Sequence, residues 1–451
     1  MTQRFRLFAP LAILAIVLTA CPASTTPSES AGGGGGGSSE APGSSDGAAA
    51  GGSIEVTSLW GGAEAEAFQA VLDAFTEESG IDVEYTSVRD QYSTVLSNRI
   101  EQGDPPDVAI IPGIGFLRSF AKDDLLIPLE DLGIDTSTLA DAYAANLSDM
   151  GVNVGTVDDV PYAIMVKLNS KSTIWYDPSR FSDNGWETPG DWDALVALTD
   201  QIKSDGATPW ALGAGDSWTL TDWFESIYLR QAGEEAYDTL FSQDGDWTDQ
   251  SVKDAVATMT EILNDENVAG GIDGALATAF TDGIGLVFSS SPTAEMYYEG
   301  GFVGGIARGD INTDLVDGET IDFFDFPEID GSGLKITVGG DVMAAFTDNP
   351  GVAEFMQYLA SADAGTVWAG GGTVISPMAG VETSAYPEGV QKEATQIVDS
   401  DLARFDGSDL LPGGPDLGAV LQAVIKDPGS VDGAFEDFQT QVTDAWNDLN
   451  G

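Results

Sequence analysis

The chain has no histidine, a single cysteine, and only 17 Lys plus Arg against 74 Asp plus Glu in 451 residues, a formal net charge of -57. Each shortage excludes a kind of chemistry. Without imidazole there is no Ser-His-Asp or Cys-His catalysis and no HExxH zinc site, because each needs a nitrogen that titrates near neutrality. Without clustered Lys and Arg there is no basic face to neutralise a phosphate backbone, so nucleic acid is excluded as a partner. One cysteine cannot close an internal disulfide. Carboxylate chemistry and neutral or cationic ligands remain open. A content of 42% hydrophobic and 9% aromatic residues supports a sizeable core, so the charge does not signal disorder along the whole length.

Residues 1–20 read as an export signal peptide. Arg4 and Arg6 precede an apolar run from Leu7 to Ala20, which is too short to cross a bilayer at about 20 residues per span. The run ends in Leu18-Thr19-Ala20-Cys21, and LTAC resembles a bacterial lipobox, after which the signal is cut and the cysteine is lipidated. Cys21 is the candidate lipidation site, and the lipid is the expected link to a membrane. Residues 21–53 combine it with a Gly/Ser/Pro-rich stretch that includes six glycines at 32–37. Such a composition predicts a flexible tether reaching about 30 Å.

From Ile54 the pattern turns regular. IEVTSLW at 54–60 reads as a strand, and Phe68, Val71, Leu72 and Phe75 follow at helical spacing. IDVEYTSV at 81–88 alternates as a second strand, Tyr92 to Glu101 is helical, and DVAII at 107–111 is a short buried strand. This order predicts an α/β fold with a mostly parallel sheet, in which ligands bind beyond the carboxyl ends of strands. The loops 61–64 and 112–115 are therefore the first places to look. PYAIMVKLNSKSTIWYD at 161–177 reads as extended chain crossing between lobes, and IGLVF at 284–288 and KITV at 335–338 as further strands. Helices are expected at 190–204, 220–232, 250–264, 350–361 and 431–449. The length exceeds what one core usually serves.

The collinear segments LWGGAEAEAFQAVLDAF, GDPPDVAIIPGIGFLRSFA, NSKSTIWYDPSRF and ATPWALGAGDSWTLTDWFES are similar to those of extracellular solute-binding proteins of carbohydrate ABC importers. VGGDVMAAF at 338–346, VWAGGGTVISP at 367–377 and RFDGSDLLP at 404–412 resemble the alpha-glucoside branch of that family. The resemblance covers nearly all of 54–451. It implies a two-lobed periplasmic-binding-protein-like fold with hinge strands and a cleft, closing over a carbohydrate ligand as a monomer and delivering it to permease subunits. Lobe 1 is expected at 54–165 plus 325–375, and lobe 2 at 166–324 plus 376–451. No cofactor is implied, and the residues offer no nucleotide site. The glycine run lacks the Gly-Lys-Ser/Thr ending of a P-loop, and Gly113-Ile114-Gly115 stops short of a dinucleotide fingerprint.

A pyranose offers hydroxyls to carboxylates and C–H faces to aromatic rings, so neighbouring Trp and Asp/Glu are the signature to seek. Trp60 and Glu64 flank Gly61-Gly62 at the end of the first strand. In the GDSWTLTDW segment, Trp218 is expected in the loop before a helix as a stacking face, Asp222 bonds a hydroxyl or complements the helix start, and Trp223 turns to the core. Glu295 follows the IGLVF strand, and Gly340 and Asp341 follow KITV, each at a strand end. Arg404 brings five fixed donors that suit sugar oxygens, as the family pattern also suggests. Each has a structural alternative: Trp60 and Trp368 as core, Glu64 and Glu295 as helix-start acids, Asp341 as a cap, Arg404 in a salt bridge.

Two other functions fit the same residue types. A secreted glycoside hydrolase also combines Trp with paired carboxylates. A calcium-dependent adhesin would draw on Asp244-Gly245-Asp246-Trp247-Thr248-Asp249, although that loop breaks EF-hand spacing. Neither reading explains the charge, and neither does a neutral sugar, so the acids belong mostly on the surface, as in a halophilic protein. There, screening over about 3 Å at 1 M salt relieves self-repulsion. The thermal midpoint is accordingly expected to rise from about 0.1 M to about 1 M NaCl in a melting series; a fall would remove the halophilic reading.

Overall fold

Strands and helices alternate from Ser53 to Ile111 as the hydrophobic periodicity predicts, in a computed structural model that describes residues 52–88 and 92–450. The export signal, Cys21 and nearly all of the tether lie outside the described residues. β1 (Ser53–Ser58), β2 (Asp82–Ser87) and β3 (Val108–Ile111) pair in parallel about β1. The helix Ala63–Ser79 joins the first two strands and buries Phe68, Val71, Leu72 and Phe75, the positions that the spacing selects. The other strands are β4 (Thr156–Val157), β5 (Val160–Pro161), β6 (Ala163–Ser170), β7 (Thr173–Tyr176), β8 (Trp210–Ala211), β9 (Met296–Glu299), β10 (Asp322–Asp325), β11 (Lys335–Ala345) and β12 (Leu402–Phe405).

The larger sheet runs β12-β11-β3-β1-β2, with β6 also paired to β11. β11 makes this possible by its length: its residues bond in parallel to β12 and antiparallel to β3 and β6. The smaller sheet runs β10-β7-β9-β8. Its side chains alternate between two apolar clusters: Ile174, Met296, Tyr298 and Phe324 face one, whereas Trp175, Tyr297 and Phe323 face the other. Both faces of this sheet are thus covered, in keeping with the apolar stretch that β7 presents in the sequence.

The core around the larger sheet takes residues from Ile54 to Leu168 and from Ile336 to Phe405, while the cores around the smaller sheet begin at Ile174 and end at Val442. The chain passes between them near 169–173, 330–334 and 406–410. The expectation that residues beyond 375 return to the second lobe differs from this packing. Met378, Tyr386, Ala394 and Ile397 stay with the first core because β12 still has to pair with β11.

Other readings also change on the folded chain. IGLVF is the end of a helix, Phe280–Phe288, in which Ile284, Val287 and Phe288 are buried at helical spacing; a short apolar run does not distinguish helix from strand. KITV does not end at 338, since β11 continues through Gly339 and Gly340 to Ala345, with a register shift between Asp341 and Val342. Gly340 serves that continuity: a Cβ there would strike the Lys167 carbonyl of the paired strand. Trp218 is the first residue of the helix Trp218–Gln231 rather than part of the preceding loop.

Candidate functional site

The passages between the lobes gather an unusual density of buried charge. Lys167, on β6, places Nζ 2.6 Å from Glu64 and 3.6 Å from Asp341. Asp341 also accepts the indole N–H of Trp60 at 2.9 Å. Burial pushes the Asp341 carboxyl up, and Lys167 and Trp60 act against that rise. Glu64 sits in the first turn of the helix that follows β1 and keeps 40% of its side chain exposed.

Lys171, at the next passage, lies 2.9 and 3.1 Å from the two Asp222 oxygens and 3.4 Å from Asp406. Burial disfavours its charge, but Asp222, Asp406 and Glu299 more than offset this and hold the ammonium well above its ordinary range. Burial lifts Asp222 to about 6 against the pull of Lys171. For Asp406 burial is outweighed by Lys171 and by hydrogen bonds, and its carboxyl falls below the usual range. Glu225, Glu299 and Asp409 are driven well above theirs by burial and by these same neighbours. The cluster therefore sets one ammonium in direct contact with Asp222 and Asp406, with Glu225, Glu299 and Asp409 close around them.

An aromatic face adjoins the ammonium. Trp218 is 36% exposed, with Phe280 at 4.9 Å and Phe302 at 6.1 Å between ring centroids. Lys171 Nζ lies 4.9 Å from the Trp218 ring centre and 5.7 Å from that of Phe302. A ring face beside polar groups drawn from both lobes can stack a flat apolar surface while its rim exchanges hydrogen bonds.

Among the candidates from sequence, Glu64, Trp218, Asp222 and Asp341 come to the passages between lobes, gathered there by the two lysines. Gly340 lies beside Asp341 and acts through backbone approach. Trp60 is buried against Phe68 and Trp368, so it presents no free face and acts through its N–H on Asp341. Glu295 pairs with Arg180 at 2.9 Å, four residues and about 13 Å along β9 from Glu299. Arg404 is taken up by Asp238 at 2.7 and 3.0 Å and by Glu234 at 3.5 Å. It lines a separate groove of about 710 Å³ with Arg118, Tyr237 and Trp446.

Sequence reasoning missed Lys167, Lys171, Phe280, Phe302 and Asp406. A signal existed for the lysines: basic residues are scarce, and two of them fall four apart in a segment read as an interlobe crossing, which puts them on one side of an extended chain.

Two α/β lobes joined by repeated strand crossings, with aromatic and ion-paired groups from both at the junction, define a two-lobed solute receptor. The chain belongs to the bacterial extracellular solute-binding protein family, whose pattern matches residues 61–366. It is 33% identical over 379 residues to the osmoprotective compounds-binding protein GgtB of Synechocystis sp., covering 82% of this chain and 87% of that protein. It is 30% identical over 406 residues to the alpha-glucosides-binding periplasmic protein AglE of Rhizobium meliloti, covering 86% of each. Among solved structures, apo RafE from Streptococcus pneumoniae aligns with a TM-score of 0.70 at 16% identity, over 89% of this chain and 99% of that one. The solute receptor AcbH aligns with a TM-score of 0.69 at 20% identity, over 88% and 99%. Membership makes the protein an extracellular receptor of the ABC-importer class rather than an enzyme, and neither the hydrolase nor the adhesin reading finds support. Among the described residues no helix is long and apolar enough to cross a membrane.

Glu393 couples this region to pH. It accepts the Ser170 amide at 2.9 Å where β6 ends, and burial pushes its carboxyl up to about 7, with the amide bond and Lys167 opposing. An acid whose folded pKa exceeds its unfolded value loses stabilisation as pH rises between the two, here from 4.5 to about 7. Glu393→Gln keeps the acceptor and removes the titration. Its Tm relative to the native chain is expected to climb between about pH 5 and about pH 8; a constant difference would show that Glu393 ionises normally.

Proposed function

We propose that the protein captures a neutral saccharide, an alpha-glucoside or another short oligosaccharide, between its lobes and delivers it to the permease subunits of an ABC importer. The observation that carries this reading is the exposed Trp218 face, flanked by Phe280 and Phe302 and set beside the ion-paired carboxylates Asp222 and Asp406. Trp218 stacks a sugar face, while Glu64 and Asp341 share their remaining lone pairs with hydroxyls and Asp222, 1% exposed, acts through its pairing with Lys171. The names of GgtB and AglE support small osmoprotective or alpha-glucosidic solutes as the class. A ligand that touches both lobes stabilises their closed arrangement, and opening at the permease releases it.

The lobes divide at the core boundaries: 54–168 with 335–405 in one, 174–329 with 411–450 in the other. We further propose that the receptor acts as a monomer, exported by residues 1–20 and held by lipidated Cys21 on the extracytoplasmic face. Its acidic surface suits a saline medium.

Thermal-shift and calorimetric titration with maltose, trehalose, sucrose and raffinose tests the saccharide reading. At least one sugar is expected to raise Tm saturably, and Trp218→Ala to weaken its binding about tenfold or more, equivalent to roughly 1.4 kcal/mol. Absence of any response, or unchanged affinity in Trp218→Ala, would overturn it. For the anchor, Cys21→Ser is expected to shift the protein from the membrane to the soluble fraction on cell fractionation; an unchanged distribution would remove lipidation at that residue.

A further inference from the structure

The groups around Lys171 are those that would bind a free alkylammonium ion. Two carboxylates, Asp222 and Asp406, stand within 2.9 and 3.4 Å of Nζ, and the rings of Trp218 and Phe302 lie 4.9 and 5.7 Å from it. Carboxylates supply countercharge, and ring quadrupoles add an attraction that strengthens as the ion is desolvated. Here the ion is tethered. The Lys171 amide donates to the Thr337 carbonyl at 2.8 Å, and its own carbonyl accepts the Tyr298 hydroxyl at 2.5 Å. The stem crosses Gly339, where a Cβ would come within 2.9 Å of the lysine Cε. The side chain is therefore guided along a fixed path to the aromatic face.

Exposure follows the same order. The Lys171 side chain is 13% exposed, Asp406 5% and Asp222 1%, so the carboxylates lie deeper than the ammonium. A chain of net charge -57 attracts cationic solutes by its overall field. A carboxylate floor beside an exposed tryptophan would concentrate them unless something already neutralised it. Lys167 stands in the corresponding position to Glu64 and Asp341.

We propose that Lys171 is a resident cation that sets the charge specificity of the cleft. By filling the cation position beside Trp218 and Phe302 with a tethered ammonium, it keeps the aromatic face for uncharged polyols and bars alkylammonium and quaternary ammonium compounds. The proposal rests on the reading of the Trp218 cleft as the solute site.

The test is Lys171→Ala, with n-butylammonium chloride, whose four carbons match the lysine stem from Cβ to Cε, as the probe and NaCl at equal ionic strength as the reference. The native protein and Lys171→Arg are expected to show no shift beyond that of NaCl, whereas Lys171→Ala gains a saturable Tm rise of about 2 °C or more. Tetramethylammonium is expected to act in the same direction, through the rings. Saturable binding of butylammonium by the native protein would overturn the proposal. So would a folded Lys171→Ala, judged by circular dichroism, that ignores the probe. Should Lys171→Ala fold only when butylammonium is present, the rescue supports the proposal. Should it not fold in either condition, uncharged Lys171→Gln takes the same test, and lack of response there counts against it. A native protein that answers to no saccharide sinks the saccharide reading by itself, whereas the ammonium titration decides the role of Lys171.

Discussion

The ion pairing of Lys171 with Asp222 and Asp406 is the constraint on which the junction between the lobes depends. Lys171 belongs to the passage between β6 and β7, Asp222 to a helix packed in the second lobe, and Asp406 to the segment just after β12. One ammonium thus joins parts of the chain that are far apart in sequence. Carboxylates buried to this degree are tolerated only with a partner, and removal of one member of such a group typically costs about 3–5 kcal/mol. The hydroxyls of Ser172, Ser226 and Thr337 complete the arrangement, linking the same passages by bonds of 3.1 to 3.5 Å. Backbone bonds from Lys171 to Thr337 and from Asp406 to Val338, both 2.8 Å, fix where each passage sits. Lobe position and site chemistry are therefore set by the same residues.

The fold was legible in sequence where periodicity is strong and local. β1, β2 and β3 with their connecting helices follow from the spacing of a few apolar side chains, and β6 and β7 from two apolar stretches broken at Asn169-Ser170-Lys171. What failed was non-local. Nothing near Met378 or Ile397 says that they remain in the first core, because that depends on β12 pairing with β11, 67 residues back in the chain (Lys335 with Leu402). IGLVF failed for another reason: β-branched content suggests a strand, whereas burial of one helical stripe decides the matter.

The site was legible by residue type and not by pairing. Trp218, Glu64, Asp222 and Asp341 carry a composition that points to polyol binding, and all of them reach the passages between lobes. Their compensation by Lys167 and Lys171 was invisible, since an acid and a base 51 or 103 positions apart show no relation in the chain. Arg404 offers five donors that suit sugar oxygens, yet the scarcity of basic residues makes an arginine valuable to any acidic neighbour, and Asp238 and Glu234 claim it. Trp60 illustrates the converse: a core tryptophan still touches the site chemistry through its N–H.

The length of β11 carries an implication for how such a chain can change over evolutionary time. Its eleven residues, which begin just after the passage at 330–334, pair with β12, β3 and β6, with a single register shift against β6 between Asp341 and Val342. Insertion of a single residue would turn every following side chain to the opposite face, moving Asp341 away from Lys167 and Trp60 and misaligning Met343 with β3 at once. Surface loops can lengthen or shorten freely, because closure entropy grows slowly with loop size. Geometry therefore favours length changes at the periphery over any change in the spacing from Lys335 to Ala345.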